Sequence, residues 1–227
     1  MLLLLLDELL ELDIVQGPLV DIGPQLIRHA AMPLDYYLLH FWVKLGRQDF
    51  WVRLPALLFG VLSIPLTYAL ARRLFNPATG LMAALLLSVA PFAVSYSREA
   101  RPYAMLLFFT LVAFLGLWQT YRTHRFRYWL VTGLALLGAA LSHYFAIFLL
   151  GPVGLFVAGQ LLAGIRRRKY WLHTGFFGVT ILLLLITFGL NGRLLKLYSV
   201  GERFTREAAQ LSTYTIPAVE KPNRGPG

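Results

Sequence analysis

The 227-residue sequence contains no cysteine and few charged residues. Without cysteine the chain has no disulfide framework, no thiolate chemistry and no cysteine-ligated metal. Charged residues make up 14% of the chain and hydrophobic residues 58%, with a mean hydropathy of +0.63, whereas a soluble domain is nearer a quarter charged and half apolar. This composition predicts an all-α integral membrane protein, a polytopic helical bundle.

Several familiar active-site motifs are also missing. The sequence has no glycine-rich phosphate loop of the Walker type, no serine-nucleophile motif and no His-x-x-x-His pair. A net charge of +10 would indicate nucleic-acid binding in a soluble protein. Here the positive charge lies in short loops between apolar runs, so we expect a membrane partner and no nucleic acid.

Apolar runs bounded by charge, proline or glycine predict about six spans within residues 53–190. The spans are placed at about Arg53–Arg72, Gly80–Tyr96, Pro102–Tyr121, Tyr128–Ala146, Ile147–Ile165 and Trp171–Leu190. Pro91 is expected to kink the second span, and the chain around His143–Pro152 is expected to be irregular.

The remaining segments are assigned to the chain's two ends. Residues 1–6 are interpreted as the end of a truncated span, and residues 191–227 as a polar extracytoplasmic tail that is also cut short. Residues 7–52 are interpreted as an extracytoplasmic loop broken into pieces by Pro18, Gly23 and Pro24. Leu34–Leu45 is apolar and aromatic but too short to span, which favours an interfacial helix.

The charges predict an orientation. Under this topology one set of loops carries basic residues without any acid: Arg72, Arg73, Arg122, Arg125, Arg127, Arg166, Arg167, Arg168 and Lys169. All 11 acidic residues fall on the other side. The positive-inside rule therefore places these basic loops in the cytoplasm and the acidic side, with Arg98 and Arg101, outside it.

Polar and charged side chains are clustered in Ser95–Tyr103, which lies between two apolar runs. Arg98 and Arg101 present planar forks that match phosphate oxygens, and Glu99 could hold one of them in place. Pro102 fits the start of the next helix, whose N-terminus also attracts anions. We interpret the stretch as an anionic-ligand site. The alternatives are a solvated loop between two spans, or an ion pair within the loop that stabilises its conformation.

Two other groups are candidates. Asp7 and Glu8 could supply a general base and a second group that orients substrate or metal, but an acidic pair that merely ends a helix is the alternative. The pair is compatible with a divalent cation and with catalysis without one, so no cofactor is assigned. His143 lies in an apolar run and is either a substrate contact or a hydrogen-bonded packing residue.

The blocks in this order resemble those of the GT-C glycosyltransferases. They are Pro33-Leu34, Tyr36-Tyr37-Leu38-Leu39, Arg53-Leu54-Pro55-Ala56, Tyr68, Ala71-Arg72-Arg73-Leu74-Phe75, Ala90-Pro91-Phe92, Tyr96–Tyr103 and His143-Tyr144. The chain is most similar to the bacterial branch related to dolichyl-phosphate-mannose–protein mannosyltransferases and the aminoarabinose transferase of lipid A. The resemblance runs from about Asp7 to Leu190 and covers the N-terminal half of such a protein.

The resemblance implies a multi-pass enzyme of the bacterial cytoplasmic membrane with its active face outside the cytoplasm. Its donor would be a polyprenyl-phosphate sugar, and its acceptor a lipid, glycan or protein. By the same resemblance Asp7 would be the catalytic base, and Glu8 and Glu99 would shape the acceptor and donor sites. Arg98 and Arg101 would lie near the lipid phosphate, with Tyr103 and His143 as further substrate contacts.

The sequence departs from the family in one block. The basic residue that usually precedes the tyrosine pair is replaced by Ala31-Met32-Pro33, with Arg28 or His29 as substitutes. Two other functions remain open on the residues alone. One is a transporter or flippase-like module for a lipid-linked or anionic solute, and the other is a non-catalytic fragment that packs with another subunit.

Overall fold

The computed structural model describes residues 6–29, 31–46, 48–123 and 125–164, together with residues 178 and 182. Within these ranges the side chains of residues 6–7, 27–29 and 160–164 lie outside the description. The chain divides into two compact units, Met1–Asn191 and Gly192–Gly227. The structure describes no further residue in the second unit, in the predicted sixth span Trp171–Leu190 or among the first five residues.

The described part of the chain is helical and contains no strand, which confirms the all-α prediction there. Its α-helices are α1 (Leu6–Gln16), α2 (Leu19–His29), α3 (Pro33–Trp42), α4 (Asp49–Leu74), α5 (Pro77–Val89), α6 (Pro91–Ser97), α7 (Tyr103–Thr123), α8 (Phe126–Ser142) and α9 (Leu150–Gly164). A 3₁₀ helix, Tyr144–Leu149, separates α8 from α9.

Two of these helices, α4 and α7, are long and apolar enough to cross a membrane, and α5 with α6 makes a third span if the bent pair is counted as one. Helix α8 and the segment Tyr144–Gly159 are apolar but shorter. Within the described residues the structure therefore supports two or three of the predicted spans. The total of six stays a prediction.

The expected kink at Pro91 is confirmed. The axes of α5 and α6 differ by 59°, and Ala90 between them is extended, with φ −63° and ψ 123°. A residue before proline is pushed out of the helical region by the proline ring, which ends α5 here. At the other end of α5, the Asn76 side chain accepts a hydrogen bond from the Thr79 N–H and so caps the helix.

The predicted irregularity after α8 is also confirmed. His143 is extended, with φ −152° and ψ 141°, and its Nδ1 accepts a hydrogen bond of 3.1 Å from the Phe145 N–H. The imidazole therefore caps the 3₁₀ helix that follows. This cap fixes the His143 ring at the break between α8 and α9.

Residues 7–52 form three helices. Pro18 separates α1 from α2, as expected, but the break expected at Gly23 and Pro24 is wrong because α2 continues through both. A proline here removes only the hydrogen bond to the Val20 carbonyl, near the start of the helix. The predicted helix at Leu34–Leu45 is present as α3, and its interfacial position stays a prediction.

Two apolar clusters hold these elements together. The first joins α7, α8 and the start of α9, and its buried residues are Met32, Ala113, Leu117, Trp129, Ala135, Leu136, Ala139, Ala140, Ala146, Val153 and Val157. The second joins α1, α2 and α3 to Val52 of α4 and to Ala100: its other members are Leu12, Ile14, Val15, Ile22, Leu26, Tyr36, Leu39 and Val43. The second cluster brings the N-terminal helices against the segment between α6 and α7.

Candidate functional site

The chain between α6 and α7 makes a tight turn that we call the arginine turn, residues Arg98–Pro102. The Arg98 N–H donates to the Ser95 carbonyl at 2.9 Å, and the Arg101 N–H donates to the Glu99 carbonyl at 2.8 Å. The Pro102 carbonyl accepts a hydrogen bond from the Leu106 N–H, which starts α7. Both predicted arginines therefore stand at the N-terminal end of a membrane-length helix.

Glu8 ties the arginine turn to two helices. Its Oε2 accepts from Nη2 of Arg53 on α4 at 2.8 Å, and its Oε1 accepts from the Ala100 N–H at 2.7 Å. The Glu8 side chain is fully buried, and that of Arg53 is 15% exposed. This ion pair with a second hydrogen bond compensates the cost of burying the carboxylate. Asp7 precedes Glu8 on α1, and its side chain lies outside the described part.

Arg101 interacts electrostatically with two groups of side chains. One group is the carboxyls of Glu11 and Asp35, and the other is Tyr103 and His143. The structure thus brings three predicted substrate-binding residues, Arg101, Tyr103 and His143, into one neighbourhood.

Burial governs the two carboxyls next to Arg101. It raises the pKa of Glu11 well above its ordinary value, and the nearby Asp35 carboxyl raises it further, while the Arg101 guanidinium opposes this shift. Burial also raises the pKa of Asp35. These groups therefore hold protons more tightly than exposed acids do.

Aromatic rings line one side of the site. The Tyr103 ring lies 4.4 Å from the Tyr96 ring and 5.1 Å from the His143 ring, centroid to centroid. The Tyr144 ring follows at 4.4 Å from His143, and Tyr144 is 46% exposed. We call Tyr96, Tyr103, His143 and Tyr144 the aromatic row. It joins α6, α7 and the break after α8, and its exposed end offers a flat apolar surface.

Arg98 and Glu99 occupy the outer part of the turn. Arg98 is exposed, and Oε1 of Glu99 accepts a hydrogen bond of 2.9 Å from the Ser95 hydroxyl. Two largely apolar cavities of about 240 and 260 Å³ share Ser97 and Arg98 in their walls. The first lies between α4, α5, α6 and α7, and the second lies beside Asp49 and Arg53.

A glycine allows α6 to approach α4 here. A Cβ at Gly60 would collide with the Ser97 Oγ and would lie 2.7 Å from the Ser97 Cβ. Any side chain at Gly60 would therefore push away the segment that leads into the arginine turn. The close packing sets the position of Arg98 relative to α4.

The structure gives no metal site among the residues that it describes: no group of three or more His, Asp or Glu side chains is close enough to hold an ion. The Asp7 side chain lies outside the described part.

Three residues of the site were not predicted from the sequence. Arg53, Glu11 and Asp35 were assigned no role, yet Arg53 pairs with Glu8 and the two acids interact electrostatically with Arg101. A signal existed for Arg53 and Asp35, because each is a single charge within an apolar run, where an ionisable group is costly without a partner. The side chains of Arg28 and His29, the expected substitutes for a family residue, lie outside the described part.

Comparison with known proteins identifies a family. Residues 28–190, more than half of the chain, match the family model described as dolichyl-phosphate-mannose-protein mannosyltransferase. The comparisons with curated proteins and with solved structures gave no match. The matched range includes α3, the arginine turn and the aromatic row, and it leaves out Asp7, Glu8 and Glu11.

Proposed function

Because the chain belongs to the dolichyl-phosphate-mannose-protein mannosyltransferase family, a family of membrane glycosyltransferases, we propose that it transfers a sugar from a polyprenyl-phosphate donor. The acceptor is a hydroxyl of a lipid, glycan or protein. The proposal places the reaction at the extracytoplasmic face of a bacterial cytoplasmic membrane, on the basis of the charge asymmetry between the two sets of loops.

The arginine turn beside apolar cavities carries this proposal. Arg98 and Arg101 bind the donor phosphate, because guanidinium groups pair with phosphate oxygens in a bidentate manner. The cavities next to Arg98, about 240 and 260 Å³ in volume, accept the first isoprene units of the donor. A charged head above an apolar groove suits a ligand with a phosphate at the end of a hydrocarbon chain.

The transfer is an inverting displacement. The acceptor oxygen forms a bond to the anomeric carbon while the bond from that carbon to the phosphate oxygen breaks, and the electron pair leaves with the polyprenyl phosphate. Asp7 accepts the proton of the acceptor hydroxyl. Positive charge from Arg98 and Arg101 stabilises the departing phosphate, which is the largest contribution expected from fixed groups in such a site.

The other residues position these groups. Glu8 orders the arginine turn through Arg53 and the Ala100 N–H, so in this proposal it acts by placement. Glu99 orients the outer part of the turn through Ser95. Tyr103 presents its ring to the sugar, and the His143 ring, which is buried at 8% exposure, supports the Tyr103 ring from 5.1 Å.

The test uses the full chain in lipid nanodiscs with a radiolabelled polyprenyl-phosphate sugar. We expect label to pass to an acceptor, and Arg98→Ala or Arg101→Ala to reduce donor binding at least tenfold, about 1.4 kcal/mol. Arg127→Ala is the matched control, because Arg127 is exposed and lies at the start of α8. Asp7→Asn should abolish transfer while donor binding persists.

Two results would count against the proposal. Donor binding that is unchanged in both arginine variants would remove the phosphate site from the arginine turn. Movement of labelled donor across a vesicle membrane without any transfer would favour the transporter alternative.

A further inference from the structure

Five exposed arginines lie at the ends of helices that point away from the arginine turn. Helix α4 starts beside that turn, because its first residues share a cavity wall with Ser97 and Arg98, and α7 follows the turn directly. Both helices therefore end away from it, and α8 begins just after α7 ends. We call the arginines at these helix ends the basic end: Arg72, Arg73, Arg122, Arg125 and Arg127.

A ring contact between α4 and α7 sets the relative height of their arginines. The Phe59 ring lies 5.2 Å from the Phe108 ring and 6.0 Å from the Phe109 ring, centroid to centroid. Arg72 follows Phe59 by as many residues as Arg122 follows Phe109. At about 1.5 Å of helix rise per residue, both arginines lie about 20 Å beyond the contact. The arginines of α4 and α7 therefore reach the same level.

The separation between the arginine turn and the basic end matches the thickness of a bilayer. Arg72 follows Arg53 on α4 by as many residues as Arg122 follows Tyr103 on α7. Either stretch of helix is about 28 Å long, and the hydrocarbon core of a bilayer is about 30 Å thick. When the arginine turn lies at one headgroup level, the basic end therefore lies at the other.

The helices that carry the basic end supply no carboxylate to neutralise it. The sequence has no aspartate or glutamate from residue 50 to residue 98 or from residue 100 to residue 201. Among the described residues none of the five arginines has a carboxylate partner. The C-terminal ends of α4 and α7 offset about half a charge each through their free carbonyls. Most of the positive charge therefore remains to attract an anion.

Rings beside the arginines favour a lipid over a soluble anion. Three guanidiniums lie over a ring of their own helix, at 5.9 Å for Arg72 over Tyr68, 6.0 Å for Arg122 over Trp118 and 4.8 Å for Arg127 over Tyr128. Phe75 is 73% exposed and Phe126 is 58% exposed at the same end. Tyrosine and tryptophan prefer the boundary between headgroups and acyl chains, and exposed phenylalanine rings gain by contact with those chains.

We propose that the basic end binds anionic phospholipids by their phosphate groups. The guanidiniums donate hydrogen bonds to the phosphate oxygens, and the exposed rings contact the upper part of the acyl chains. The ligand is a diacyl phospholipid with a net negative headgroup, such as phosphatidylglycerol. This site is separate from the arginine turn and needs neither a sugar donor nor sugar transfer, so it goes beyond the proposed function.

The test titrates the full chain, purified in an uncharged detergent, with two phospholipids that have the same acyl chains. Phosphatidylglycerol has a net negative headgroup, whereas the headgroup of phosphatidylcholine contains a phosphate but is neutral overall. Native mass spectrometry counts the bound molecules at each lipid concentration. We expect phosphatidylglycerol to bind at least tenfold more tightly than phosphatidylcholine.

Substitutions assign the preference to the basic end. One arginine near a lipid surface contributes about fivefold in affinity, so the triple variant Arg72→Gln, Arg122→Gln and Arg127→Gln should lose at least tenfold for phosphatidylglycerol. The corresponding triple lysine variant keeps the charge and should retain most of the preference. Lys44→Gln is the matched control, because Lys44 is also exposed and lies 4.9 Å from the Phe41 ring, but just before the start of α4.

A competition separates a lipid from a soluble anion. Inorganic phosphate, compared with chloride at the same ionic strength, should not displace phosphatidylglycerol. Displacement by phosphate would assign the basic end to a soluble anion and overturn the lipid site. Equal affinity of the wild-type chain for the two lipids, an unchanged affinity in the triple glutamine variant, or an equal loss in the glutamine and lysine variants would also overturn it. None of these measurements contains a sugar donor, so a failure of the proposed function leaves their outcome unaffected.

Discussion

The Oε1 oxygen of Glu8 accepts a hydrogen bond of 2.7 Å from the Ala100 N–H, 92 residues further along the chain. The same carboxylate pairs with Arg53 through its other oxygen. One side chain of α1 thereby fixes the turn that carries Arg98 and Arg101 and joins it to α4. The order of the candidate site depends on this contact.

The first prediction concerns that contact. Glu8→Ala should lower the free energy of unfolding by about 3–5 kcal/mol, because it leaves a largely buried guanidinium and a buried N–H without their acceptor. Denaturation in mixed micelles measures the change, with the exposed Asp13→Ala on the same helix as control. In a double-mutant cycle Arg53→Ala should cost less in the Glu8→Ala background than alone. Additive losses would show that the two side chains are not coupled.

The second prediction concerns pH. Because the pKa of Glu11 in the folded protein lies well above its ordinary value of 4.5, the unfolded chain ionises first as the pH rises. Below pH 4.5 Glu11 carries its proton in both the folded and the unfolded chain. As the pH rises from there to the folded pKa, the free energy of unfolding therefore falls by up to about 1.4 kcal/mol per pH unit.

Thermal unfolding at a series of pH values checks this sign. The decline should be weaker in Glu11→Gln than in wild type, and unchanged in Asp13→Asn. A wild-type stability that increases through this window by the same amount in all three proteins would contradict the raised pKa.

The third prediction concerns helix packing. Gly60→Ala should destabilise the protein by about 1–3 kcal/mol, because the new methyl group overlaps Ser97 and displaces α6. Ser97→Gly removes the overlapping atoms and should restore part of the loss in the double variant. Gly154→Ala is the control, since a Cβ there meets no atom within 4 Å. Equal effects of the two glycine substitutions would argue against a close contact at Gly60.

The fourth prediction concerns the aromatic row. Tyr103→Leu loses two ring contacts, to Tyr96 and His143, each worth about 0.5–1.5 kcal/mol. We expect Tyr103→Leu to weaken donor or acceptor binding roughly fivefold, about 1 kcal/mol. Tyr103→Phe keeps the aromatic ring and both of its ring contacts, so its binding should stay near that of the wild type. Steady-state kinetics of sugar transfer would detect the difference as a higher KM. A similar loss in Tyr103→Phe would instead assign the effect to the hydroxyl.

Local signals predicted a good part of this fold. Each of these signals acts over a few neighbouring residues. The apolar runs form the long helices α4 and α7, Pro91 bends the chain between α5 and α6, and the chain is irregular at His143. The prediction of a break at Gly23 and Pro24 was wrong, because the tertiary packing of α2 offsets the loss of a single hydrogen bond. The interfacial location of α3 and the orientation in the membrane stay predictions.

The candidate site was predictable only in outline. Arg98, Arg101 and Tyr103 could be assigned together because they are neighbours in one short stretch. The contact of Tyr103 with His143 depends on how α7 packs on α8, and the interaction of Glu11 with Asp35 depends on how α1 packs on α3. No periodicity along the chain encodes either arrangement.

The sequence by itself determined that this is a helical membrane protein, that the chain bends at Pro91, and which short stretch carries two closely spaced arginines. Only the tertiary structure decided that Glu8 binds Arg53 and Ala100, and that Arg101 interacts electrostatically with two buried acids. The physical reason is that helix formation and membrane insertion depend on nearby residues, whereas the charge state and partner of a buried carboxyl depend on which distant segments exclude water from it.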